Sequence, residues 1–197
     1  MDTAPVTLSG SRVRLEPLAR GHLDALWEAV GDPAVFRWYV APMDTRDKLA
    51  AWVDEALASH ARGQALPFVT LDAGDDGRVI GATRFMAIDR PNRHVEIGNT
   101  WLGRDFQRGP YNTEAKLLMM RQAFEVWDCV RVEFKTDSLN VQSRAALARI
   151  GAREEGTFRN HMVCADGRLR HSVWFSVTRE EWPAVKTGLE TKLASRK

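Results

Sequence analysis

Cysteine is scarce in this sequence, with only Cys129 and Cys164 in 197 residues. Two cysteines cannot build a disulfide framework, and these are not spaced for zinc. Cys129 sits in the apolar run WDCVRVEF and reads as a small buried hydrophobe. Cys164 precedes a turn-like ADG, and neither has a base beside it in the local sequence. Nucleophilic thiol chemistry is therefore disfavoured. No histidine pair has metal-ligand spacing, so no metal is expected. Long apolar runs are missing too, since none approaches the roughly 20 residues a membrane-spanning helix needs. The opening MDTAPVTLSG has neither a basic start nor an apolar stretch, which argues against a signal peptide and makes a cytoplasmic location the expectation. A net charge of only +2 argues against a dedicated nucleic-acid binder. The arginines are nevertheless uneven: Arg144, Arg149, Arg153, Arg159, Arg168 and Arg170 crowd the C-terminal third. They form a solvated surface, or some of them meet phosphates or an acidic substrate.

What remains is an ordinary globular composition, 44% hydrophobic and 27% charged, enough for one core and one domain spanning residues 1–197. Period-two runs alternate with helical ones, predicting an α/β sheet protein. Strands are expected at 12–17, 66–72, 78–87, 95–102, 130–136, 153–163 and 169–177. Helices are expected at 22–30, 48–61, 113–127 and 142–150, with a last helix from 179 onward. Asp75-Asp76-Gly77 is a hairpin turn signal. Trp27, Trp52, Trp127 and Trp182 fall at helical positions and are expected in the core.

The segment 95–115, VEIGNTWLGRDFQRGPYNTEA, is the most informative. An apolar strand breaks at Gly103, passes through a polar turn and enters a helix at Thr113. Helix N-termini present unpartnered N–H groups and the positive end of the dipole, so this geometry suits phosphate. A second polar stretch, DSLNVQS at 137–143, lies between a strand and a helix, where Asn140 suits an N-cap with Ser143 in the first turn. Glu96 points to the opposite face from Val95 and Ile97. It is a candidate general base, acting through water on an amine, or a cross-strand partner for an arginine such as Arg84. His94 and His161 are the histidines expected nearest a groove.

EIG followed by WLG, then Gln107 and NTEAK, resembles the acetyl-CoA-binding motif of the GNAT acetyltransferases, in the branch of the ribosomal-protein N-terminal acetyltransferases. Pro110 stands where a first glycine is usual and supplies no N–H, although its φ suits a helix entrance. Asn112 stands where Gly or Ala is usual. The resemblance implies a mixed, mostly antiparallel α/β (α+β) sheet with splayed middle strands and helices on both faces. It also implies acetyl-CoA as cosubstrate, held by Thr100, Trp101, Leu102, Gln107, Arg108, Gly109, Tyr111, Asn112, Thr113, Asn140 and Ser143. Asn140 and Ser143 would face the pantetheine arm, with Ser143 protonating the departing thiolate, and an oxyanion donor is expected between Asn99 and Leu102. Tyr111 is a second general-acid candidate, or packs in the loop; Glu114 is read as structural. Phe36, Trp38 and Tyr39 fall where the family binds its acceptor, or else pack in the core. The implied reaction is direct transfer of acetyl to a protein N-terminus or small-molecule amine in a ternary complex. The alternative is a degenerate member that binds acyl-CoA or a partner without turnover. No membrane or nucleic-acid partner is expected, and a homodimer is open.

Overall fold

The computed structural model describes residues 1–74 and 77–195. Eight strands form one sheet: β1 (Leu8–Ser9), β2 (Val13–Pro17), β3 (Leu66–Asp72), β4 (Val79–Asp89), β5 (His94–Leu102), β6 (Arg131–Asp137), β7 (Arg153–Val163) and β8 (Leu169–Thr178), in the order β1-β2-β3-β4-β5-β6-β8-β7. Every neighbouring pair is antiparallel except β5 and β6. A parallel pair needs a crossover, supplied here by α3 (Tyr111–Arg121). The other helices are α1 (Leu23–Val30), α2 (Arg46–Ala61), α4 (Val141–Arg149) and α5 (Trp182–Ala194). The mixed sheet and its helical layers match the expectation. Of the expected hairpin turn, Asp75 and Asp76 lie outside the described residues, and Gly77 has φ 78°.

Period-two alternation gives the sheet two apolar faces. One packs Phe68, Phe85, Ile97, Val132 and Phe134 against side chains of α3, α4 and α5. The other packs Val69, Leu71, Ala82 and Trp101 beneath α1 and α2. On β6 and β8 that second face carries Arg131, Glu133, Lys135, Ser172, Trp174 and Ser176 in place of a core.

The feature that positions the site is the short contact of β5 with β6. They pair only at His94↔Arg131, Val95↔Val132 and Glu96↔Glu133; beyond that, β5 runs on to Leu102 and β6 to Asp137. A bulge accompanies the divergence. The β4–β5 register jumps from Ala82↔Trp101 to Arg84↔Gly98, so Asn99 and Thr100 stand against Thr83. Asn99 has φ 49°, a left-handed conformation that asparagine tolerates. The extra residue bends the strand and resets its alternation. Glu96, Gly98 and Trp101 thus share the α1–α2 face, and Thr100 turns toward α3.

Several boundaries differ from expectation by one to three residues. The helix predicted at 113–127 starts at Tyr111, and from Gln122 to Val126 it widens into a π-helical turn, with Trp127 N–H donating to Gln122 O at 3.0 Å. β1 was not anticipated, because two residues carry no periodicity.

Candidate active site

The loop from β5 to α3 is built from consecutive residues. Gly103 is required sterically, since a Cβ there would lie 2.3 Å from Ala29 O. A 3-10 turn, Arg104–Phe106, follows. Gln107 then ties the loop together: its Nε2 donates to Leu102 O at 3.0 Å, and its Oε1 accepts from Gln142 Nε2 at 3.3 Å. Arg108 takes φ 62°. Pro110 is the N-cap of α3, and its carbonyl accepts Glu114 N–H at 3.0 Å. The amides of Asn112 and Thr113 thus belong to the first turn, ahead of the first helical donor. Tyr111 packs edge-to-face on Phe106 at 5.4 Å and donates its hydroxyl to Asp72 Oδ2 at 3.0 Å.

Glu114 is buried and structural. Its carboxylate accepts from Ser11 N and Oγ, Arg12 N and Val13 N at 2.6 to 3.0 Å, clamping the β1–β2 turn onto α3. Asn140 caps α4, its Oδ1 accepting Ser143 N–H at 3.0 Å. Asp137, fully buried at the end of β6, accepts from Leu139 N at 2.9 Å and Arg168 Nη2 at 2.7 Å. It fixes both this turn and the β7–β8 hairpin.

On the opposite side of the splay lies a charged cluster. Glu96 is 5% exposed and pairs with Lys135 Nζ at 3.1 Å; Arg84 is not its partner. Instead Arg84 donates to Glu55 at 2.7 Å and to Asn99, whose amide oxygen accepts from its Nε and Nη2 at 3.0 and 2.8 Å. Lys135 also lies 5.2 Å above the Trp174 ring, on which Phe158 stacks and His161 packs edge-on. Partial burial, then Lys135 and Arg170, hold the His161 pKa below its usual value. His94 lies at the paired end of β5, 3.4 Å from Asp89. Phe36 is fully buried and packs edge-on against Tyr39 and Trp101. Trp38 stacks with Arg37, and its carbonyl accepts from Arg170 Nη1 at 3.5 Å. The Tyr39 hydroxyl is buried with no hydrogen-bond partner, and burial raises its pKa. A concavity of about 810 Å³ follows the β7–β8 hairpin along Phe158, Arg159, Asn160, His161 and His171.

One residue escaped sequence reasoning, and a second was named only as one of six C-terminal arginines. Lys116 of α3 is 4% exposed, and its Nζ donates to Thr100 Oγ1 at 2.7 Å, which in turn lies 2.7 Å from Thr83 Oγ1. Burial pulls its pKa down to about 7. A lysine inside the apolar run EAKLLMM was the available signal. Arg170 is buried as well, at 8% exposure, and only its place in the β7–β8 hairpin reveals this.

A sheet that opens between its parallel strands, a bulge at the opening and a helix N-terminus beyond it are the frame of an acyl-CoA N-acyltransferase. The acetyltransferase (GNAT) domain family model matches residues 12–153, and the chain belongs to that family. A GCN5-related N-acetyltransferase from Brucella melitensis is 37% identical with a TM-score of 0.87, covering 95% of this chain and 85% of that one. Mycobacterium smegmatis RimJ in complex with CoA-disulfide shares the fold, with a TM-score of 0.83 at 23% identity over 98% of this chain and 97% of that one. YdaF of Bacillus subtilis (strain 168), a candidate ribosomal N-acetyltransferase, is 32% identical over 111 residues, 56% of this chain and 60% of YdaF. The chain thus matches about 60% of the length of that curated relative.

Proposed function

We propose that the protein transfers the acetyl group of acetyl-CoA to a primary amine, a protein N-terminus or a small molecule, by direct attack within a ternary complex. The observation that carries this reading is the coincidence of the β5–β6 splay with the Asn99–Thr100 bulge. It gives one opening reachable from two sides. On the α3 side, the helix N-terminus and the Gln107 loop suit a pyrophosphate. The missing Pro110 N–H removes one donor but leaves the amides of Asn112 and Thr113 in the first turn. Asn140 and Ser143, the N-cap and first turn of α4, follow β6 at the end of the same opening.

The chemistry then follows from what faces the opening. An α-amine, with a pKa near 8, loses its proton with little help. Glu96 takes that proton through water, and Lys135 steadies the carboxylate before and after. As the nitrogen bonds to the acyl carbon, charge builds on the carbonyl oxygen, and a backbone N–H of the bulge between Asn99 and Leu102 stabilises it. The carbon–sulfur bond breaks, and the Ser143 hydroxyl donates to the departing thiolate, relaying a proton from solvent water so that the serine ends neutral. Tyr111, bound to Asp72, serves the loop and not the leaving group. Trp38 and Tyr39 border the acceptor from above, with Phe36 supporting them.

Thiol release from acetyl-CoA with a panel of amines tests the reading. Turnover is expected for the wild type, with Glu96→Gln lowering kcat about 100-fold while acetyl-CoA affinity is retained. Acetyl-CoA binding with no amine acetylated would favour the degenerate alternative, to which Pro110 already points.

A further inference from the structure

Around the opening on the α1–α2 face, one buried cation makes no ion pair among the described residues. Arg84 has Glu55, Lys135 has Glu96, and Arg168 has Asp137. Arg170 has no ion pair among the described residues. Among the described residues its guanidinium makes the long Nη1 contact with Trp38 O, and its Nε is buried with no acceptor. Beside it the Tyr39 hydroxyl is likewise buried and unpartnered, and both Arg84 and Arg170 act on it electrostatically. A guanidinium nine-tenths buried with an unmet donor is costly to keep when Asp137 and Glu96 act on it only from beyond ion-pair distance. A carboxylate offers two acceptor oxygens in the geometry a guanidinium matches, and a third lone pair for a phenol.

Placement fixes the meaning of this pair. Arg170 is held here by the docking of the β7–β8 hairpin on the α1–α2 connection, where Ala165 N–H donates to Val40 O at 2.8 Å. It lies on the same face as Glu96 and Arg84, the face from which an amine must approach. We propose that the acceptor carries a carboxylate near its amine, recognised by Arg170 together with the Tyr39 hydroxyl. This rests on the acetyl-transfer reading above. The chemistry is that of an amino acid, or of a polypeptide N-terminus with an acidic side chain at its first or second position.

Matched acceptor pairs test it: free amino acids against their amides, and peptides starting with Asp or Glu against Asn or Gln. The acidic member is expected to exceed its neutral partner by roughly 10-fold or more in kcat/KM, through KM, in at least one set; which set does so distinguishes the two sources. Arg170→Gln should abolish the ratio with acetyl-CoA affinity unchanged, and Tyr39→Phe should reduce it a few-fold. Equal rates in every pair, or a ratio that survives both substitutions, would overturn the proposal. Calorimetry with N-acetylglutamate and N-acetylated acidic peptides adds a readout independent of turnover. Binding lost in both variants supports the site even if no amine is acetylated, in which case only the transfer reading fails. Turnover of neutral amines with no carboxylate binding overturns the site and leaves transfer standing.

Discussion

The two sides of the β5–β6 opening differ in how their polar atoms are spent. On the α3 side those of the β5–α3 loop and Glu114 are committed to the protein itself, Gln107 to Leu102 and Gln142, Tyr111 to Asp72, Glu114 to three consecutive backbone amides and a hydroxyl, while the Nε of Arg121 and of Arg144 on the helices is left unmet. On the α1–α2 side, the Tyr39 hydroxyl, the Arg170 Nε and the Trp101 indole N–H are buried with no partner among the described residues. A pre-built loop suits a cosubstrate that never varies. Unmet donors suit a second substrate that supplies the missing acceptors on binding, since a buried unsatisfied group costs about 1–3 kcal/mol until it is met.

Three substitutions sharpen this contrast. The largest effect is expected from Glu114→Ala, which strands four donors and removes the clamp between β1–β2 and α3. A loss of about 3–5 kcal/mol in urea unfolding is predicted, and a loss under about 1 kcal/mol would mean that the α3 side is not held this way. Lys116 comes next. In the folded protein its pKa falls to about 7 through burial, against 10.5 for an ordinary lysine. The unfolded chain therefore holds more protons between these values, and stability rises with pH across that window. From pH about 7 to about 9 the wild type should gain on the order of 2 kcal/mol relative to Lys116→Met. Parallel stability curves for the two proteins would contradict a buried, half-titrating lysine. The smallest effect belongs to Asn140→Ala, where loss of the α4 cap costs about 1 kcal/mol in thermal or urea unfolding. A neutral result would mean Asn140 is kept for the ligand alone.

How much of this was legible follows the same division. β3 and β7 were readable to the residue, because alternation and flanking turn residues are local signals. The Gln107 loop and the Asn140 cap were readable for the same reason. The N-terminal end of α3 lies two residues ahead of the expected Thr113, with Pro110 as its N-cap, and the last helix starts at Trp182 with Pro183 in its first turn. The α1–α2 side was far less visible. Glu96 was singled out, yet its partner is Lys135, whose position depends on the β5–β6 register. Of the C-terminal arginines, Arg144 and Arg153 are surface ion-pair members, as their composition suggested. Arg170 differs only because the hairpin folds back onto Trp38 and Val40, more than 120 positions earlier. No local pattern carries that contact.

The most direct test is a calorimetric titration with acetyl-CoA of the wild type, Gln107→Ala and Arg170→Gln. The two-sided account predicts affinity lost by roughly 10-fold in Gln107→Ala and unchanged in Arg170→Gln. Undiminished binding by Gln107→Ala, or equal weakening in both variants, would contradict it.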